Sequence, residues 1–181
     1  LATLILTFPK EIEFAESFKT IDPDGITAAR EFMLVQIAEY LKNDLLRIYT
    51  HIRLDVYQVT QKDIALRAMR NVCLSYLAYS NLGNNVVQKH YNNANNMTDT
   101  LAALNMATKA SLPCRDTLLA DFEQKWQHDG LVMDKWFALQ ATRPDENVLE
   151  IVQTLMEHPS FNFHNPNRLR SLVGNFINYN L

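Results

Sequence analysis

From Ile26 to Ile48, apolar side chains recur at helical spacing: Ile26, Ala29, Met33, Ile37, Tyr40 or Leu41, Leu45 and Ile48. Held for about six turns, this period excludes a strand and predicts one long amphipathic helix over residues 23 to 50. Asp22-Pro23 sets its start. Asp accepts the free N–H groups of a first turn, and Pro is tolerated at the first helical position. Breakers that would prevent further helices are scarce, with 4 glycines and 6 prolines in 181 residues.

The same reading continues along the chain. The opening LATLILTF reads as an edge strand or the tail of a helix. It has no basic leader and no small-residue cleavage site, so it is not read as a signal peptide, and the chain is expected to begin mid-protein. Glu11 to Lys19 predicts a short helix with Phe14 and Phe18 on one face. Residues 51 to 59 are expected to form a loop. Thr60 and Asp63 resemble a capping box. The helix after it carries Ile64, Leu66, Met69, Val72, Leu74 and Leu77 on every side, which places it centrally. Gly83 is expected to end that helix in the left-handed conformation.

A short helix follows over 84 to 93, and Thr98-Asp99 opens another that runs to Lys109. Leu112-Pro113 starts a helix with Cys114, Leu118, Phe122 and Trp126 four apart, and Gly130 is expected to terminate it. The next helix turns Val132, Trp136 and Leu139 inward. Asp145-Glu146 begins one with Val148, Ile151 or Val152, and Leu155 as its stripe, and Asn165-Pro166 begins the last. The sum is about eight helices in a single all-α domain over 1–181. The expected architecture is an irregular α-solenoid of stacked helical hairpins, an armadillo- or HEAT-like superhelix.

Little in the chain carries chemistry. A net charge of −3 and a pI near 5.9 argue against a nucleic-acid surface. No apolar run approaches the ~20 residues that cross a bilayer. Cys73 and Cys114 stand alone, without a CxxC pair, and read as buried free thiols of a reducing compartment. The 5 histidines include no HExxH pair. There is no GxSxG elbow and no Gly-rich phosphate loop. Cys114 beside Arg115 could have a lowered pKa, but it begins an apolar stripe and reads as a packed thiol. Trp126 and Trp136 read as core. No residue is assigned a catalytic or metal-binding role. One group stands out. Asn165, Asn167, Arg168 and Arg170 cluster at one helix start, either as an anion site or as a cap with an inter-helix salt bridge.

Several long blocks carry a resemblance: ANNMTDTLAAL, SLPCRDTLLADFEQKW, DGLVMDKWFALQAT and NPNRLRSLVGNF, preceded by FKTIDPDGITAAREF and QKDIALRAMRNVCLSYLAY. In this order, over about residues 9 to 178, they resemble the helical C-terminal domain of the bacterial aminopeptidase N family. The resemblance implies a cytoplasmic, multidomain zinc enzyme that removes N-terminal residues from peptides. It further implies that this domain caps the active site and shapes access to it. Its partners would be the catalytic domain of the same chain and peptides with a free N-terminus, with neither nucleic acid nor membrane. The family's HExxH and GxMEN motifs are absent, so zinc is expected in the parent enzyme and not here, and this piece is expected to be inert alone. The match stops before the family domain's last helices. Asn165, Asn167, Arg168 and Arg170 are then expected to face another domain or the substrate channel. The competing expectation is a free-standing helical-repeat scaffold that binds a peptide or protein.

Overall fold

The computed structural model describes residues 2–54 and 56–180. They form helices α1 (Ala2–Leu6), α2 (Glu11–Ala15), α3 (Pro23–Tyr40), α4 (Lys42–His51), α5 (Gln61–Leu77) and α6 (Gly83–Asn92), followed by α7 (Met97–Lys109), α8 (Arg115–Trp126), α9 (Gly130–Ala141) and α10 (Val148–Met156). The chain ends in α11 (Pro166–Leu169), a π-helical turn (Arg170–Gly174) and α12 (Asn175–Tyr179). Among the described residues there is no strand, as the periodicity requires. The chain divides into two compact units, Leu1–Ala103 and Leu104–Leu181.

In the first unit, α5 packs against α1, α3, α4 and α6. Its N-terminal turn is exposed, but no residue from Leu66 to Ser80 is, so the central position holds for its C-terminal half. Leu34, Leu45, Cys73, Tyr76 and Leu77 form the buried nucleus of this unit. The Tyr76 hydroxyl donates to the Leu6 carbonyl at 2.6 Å, which ties α1 to α5. Thr60 caps α5 by accepting from the Asp63 N–H at 3.1 Å.

Three expectations change here. The single helix over 23–50 is two helices that meet at Leu41, where φ and ψ move to −98° and 7°. The buried positions are Leu34, Ala38 and Leu45, while Met33 and Tyr40 are exposed. Second, the 11–19 helix stops at Ala15, and Phe18 is exposed. Third, Gly83 is the first residue of α6 and not a left-handed cap; no glycine among the described residues has positive φ. A Cβ on Gly83 would lie 2.1 Å from the Ala78 carbonyl oxygen, so the position needs glycine for close approach. The left-handed cap occurs instead at Ser111 (φ 47°), where the Leu112 N–H donates to the Ala107 carbonyl at 2.9 Å.

In the second unit, α9 contacts α8, α10, α11, α12 and the π turn. Met133 and Phe137 are fully buried, and the Trp136 indole N–H donates to the Leu119 carbonyl at 3.0 Å. Cys114, Leu118 and Phe122 form the expected buried stripe, but Trp126 at its end is 37% exposed. Gly130 starts α9 and does not end α8. Asp129 caps it, accepting from the N–H groups of Leu131 and Val132. On α10 the buried positions are Val148, Val152 and Leu155. Cys73 and Cys114 are both buried and outside any disulfide, as expected, and burial pushes both upward in pKa.

Candidate functional site

Asn165 does what its sequence position suggests. Its side-chain oxygen accepts from the N–H groups of Asn167 (3.0 Å) and Arg168 (3.3 Å) and so caps α11. Pro166 sits at the first helical position, where its missing N–H costs nothing. The group then separates. Asn165, Asn167 and Arg170 are exposed, while Arg168 is buried. The Arg168 guanidinium donates to Asp134 Oδ1 (2.5 Å), to the Gly130 carbonyl (2.8 Å) and to the Ser160 carbonyl. It also stacks 4.9 Å above the Phe137 ring. These contacts occupy the fork of the guanidinium within its own unit. The four-residue α11 therefore has a cap and a salt bridge where an anion site would need open donors.

A second ionic group joins α8 to the segment before α10. Arg115 and Arg143 both bond the Asp145 carboxylate, at 2.9 and 2.7 Å. Burial opposes ionisation of Asp145, but the hydrogen bonds from the two arginines outweigh it and hold its carboxyl below the usual range. Asp145 thus pairs with cations in place of the helix-start role read from sequence. His158 bonds Glu123 through Nε2 at 2.9 Å and accepts from the Ser160 N–H through Nδ1.

The densest polar cluster lies in the first unit, around Asp99. Its carboxylate accepts from Asn71 Nδ2 (3.0 Å) and Asn96 Nδ2 (2.9 Å). Arg67 Nε and His90 Nε2 stand farther off, at 4.0 and 3.9 Å. His90 Nδ1 pairs with the Tyr49 hydroxyl at 2.9 Å. Arg70 lies 5.0 Å over the Tyr49 ring, and Arg67 lies 4.7 Å over Tyr57. Sequence reading took Asp99 only for a helix-start residue and named neither arginine. The available signal was a pair of arginines inside a helix that is apolar on every side. Such charges must find buried partners.

Burial, reinforced by the Arg70 charge and opposed by Asp99, lowers the His90 pKa to about 4. Between about pH 6.5 and 4 the unfolded chain holds a proton here that the native chain does not. Stability from this group is therefore full above the unfolded pKa and is lost as pH falls. We expect unfolding midpoints to fall with acidification across this window, with a slope of up to about 1.4 kcal/mol per pH unit. His90→Gln should remove that component. Equal pH slopes in urea titrations of wild type and variant would contradict the assignment.

Among the described residues, no group of three or more His, Cys, Asp or Glu is disposed to hold a metal ion. His90 with Asp99, and His158 with Glu123, supply two donors each, short of the three protein ligands of a catalytic zinc site. These residues do not fit zinc. An apolar cavity of about 320 Å³ lies between α2 and α3, lined by Phe8, Phe14, Phe18, Ile26 and Met33 among others. No helix among the described residues is long and apolar enough to cross a membrane.

The described residues build helices joined by short connections, without a strand. A family model described as "Domain of unknown function (DUF3458_C) ARM repeats" matches residues 1–181. The chain belongs to this ARM-repeat family. Its all-α, armadillo-like character agrees with that description. This ARM-repeat chain is 83% identical over 181 residues to a protein named Aminopeptidase N from Haemophilus influenzae, with 100% of the chain and 21% of that protein aligned. It is 49% identical to Aminopeptidase N of Escherichia coli, covering 99% of the chain and 21% of that protein. Among solved structures, it is similar to Legionella pneumophila aminopeptidase A in complex with aspartic acid. That match has a TM-score of 0.85 and 28% identity, over 97% of the chain and 22% of that structure. The ARM-repeat chain therefore spans about a fifth of the length of the curated relatives it matches.

Proposed function

We propose that this chain is part of the C-terminal helical region of an aminopeptidase N, a zinc hydrolase that removes N-terminal residues from peptides. One observation carries the reading: 83% identity along all 181 residues to a protein of that name. The zinc ligands and the residues that grip the substrate amine then belong to a catalytic domain elsewhere in the same polypeptide. The region itself caps the active site and limits entry to peptides presented by a free N-terminus, within the cytoplasm. Exposed apolar side chains on the first unit support a partner domain that covers them. Leu4, Ile5, Phe32, Tyr40, Val56 and Val59 are each more than 60% exposed. Asn165, Asn167 and Arg170 are proposed to face another domain or the channel, and Arg168 to hold the turn that presents them.

The full-length protein should hydrolyse an alanyl amide, and a zinc chelator should abolish the reaction. Asn167→Trp and Arg170→Trp should lower kcat/KM for peptides several-fold while changing turnover of the small amide little. An inactive full-length protein would end the aminopeptidase reading. Equal effects on both substrates would end the access role alone.

A further inference from the structure

The cavity between α2 and α3, at about 320 Å³, falls at the small end of the range of about 300–1,000 Å³ that ligand pockets occupy. Its wall is largely apolar and includes Phe8, Phe14, Phe18 and Met33. The Phe8 and Phe14 rings pack with centroids 6.1 Å apart. Phe18 and Met33 are 58% and 46% exposed, so water reaches the apolar lining. Displacing that water favours an apolar occupant of small size.

Charge decides what else the occupant carries. Asp22 and Arg30 both stand in the wall. Arg30 is committed: its Nε donates to the Pro9 carbonyl at 2.9 Å, and its Nη1 lies 3.6 Å from the Glu11 carboxylate. Asp22 has a free side. Its Oδ1 caps α3 by accepting from the Gly25 N–H at 3.0 Å, and among the described residues it enters no ion pair. Its Oδ2 lies over Gly25, where a Cβ would come within 2.5 Å of that oxygen, so glycine keeps the carboxylate in place. The surroundings have the same sign. Residues 10–31 carry six acids and three bases, an excess equal to the net charge of −3 of the whole chain, so the rest of the chain is balanced. A negative rim on an apolar pocket draws cations and repels carboxylates.

We propose that this cavity binds a small organic ammonium with an apolar body, the body among the phenylalanines and the charge at the Asp22 carboxylate. Aromatic faces add their own attraction for an ammonium group. The site lies within the first unit and does not depend on the peptidase reading.

The test titrates the full-length protein, methyl-labelled at methionine, with three probes that share a phenyl ring: phenethylamine, phenethyl alcohol and hydrocinnamate. The Met33 methyl resonance, assigned with Met33→Leu, should shift saturably with the amine, while that of Met133, fully buried in the second unit, should not move. The amine should bind about two- to fivefold more tightly than the alcohol, the range set by an exposed ion pair, and hydrocinnamate should bind most weakly. Asn caps a helix as well as Asp does, so Asp22→Asn should keep the fold and bind amine and alcohol alike. The comparison of probes on the wild-type protein needs no variant to fold. A Met33 resonance that the amine leaves unmoved, equal affinities for the three probes, or an amine preference retained in Asp22→Asn would each overturn the proposal.

Discussion

Arg168→Ala should destabilise the second unit by about 3 kcal/mol, while Arg170→Ala, two residues away, should stay within about 0.5 kcal/mol of wild type. The contrast follows from burial. Arg168 bonds Asp134 and two backbone carbonyls and lies over Phe137, whereas Arg170 is exposed. Removing the guanidinium strands the Asp134 carboxylate, whose side chain is only 18% exposed, together with the Gly130 and Ser160 carbonyls. Losing one partner of a buried pair costs about 3–5 kcal/mol, and the partial exposure of Asp134 places this case at the lower end. Arg168→Lys keeps the charge but cannot fork to three acceptors, so it should recover only part of the loss. Urea unfolding followed by Trp136 fluorescence reads the effect, because Trp136 is buried beside Phe137 with ring centroids 5.1 Å apart. A cycle with Asp134→Asn should show coupling of about 1–3 kcal/mol. Equal midpoints for Arg168→Ala and Arg170→Ala would mean the buried geometry is wrong.

Where sequence reading succeeded, it used signals that a single helix satisfies by itself. Asp22-Pro23, Thr60 and Asn165-Pro166 all begin helices as expected, because capping is a contact within one turn. The buried stripes of α8 and α10 were legible for the same reason: a helical period exposes one face to whatever packs there. What failed required knowledge of a second segment. No residue of the 23–50 stripe marks the break at Leu41, and Asp145 left its helix-start role because Arg115 approached from 30 residues away. Gly130 was assigned to the wrong helix, since a glycine between two helices reads equally as an end or a start. The Asn165–Arg170 group illustrates the same limit. The cap was local and visible. Which arginine turned inward was decided by Asp134, Gly130 and Ser160, none of which the motif contains.

Gly83→Ala should cost about 3 kcal/mol or more, although Ala is the better helix former by about 1 kcal/mol. The reversal arises because Gly83 is helical, with negative φ, yet a Cβ there would lie 2.1 Å from the Ala78 carbonyl oxygen and 2.8 Å from its carbon. Both are backbone atoms at the end of α5, so no side-chain rotation relieves the clash. The Ala78 N–H donates to Leu74 at 2.9 Å and the Gly83 N–H to Ser80 at 2.9 Å, and both bonds would be strained if the turn opened. The substitution also separates two explanations for the same glycine. If Gly83 were a left-handed cap, Asn would be nearly as good, because Asn tolerates that conformation. If close approach is the reason, Asn carries the same Cβ and should destabilise as much as Ala. Thermal unfolding of wild type, Gly83→Ala and Gly83→Asn decides it. Similar losses of about 6–12 °C in both variants fit the close contact. A near-normal Tm for Gly83→Asn would restore the left-handed cap and make the α5–α6 junction an ordinary turn.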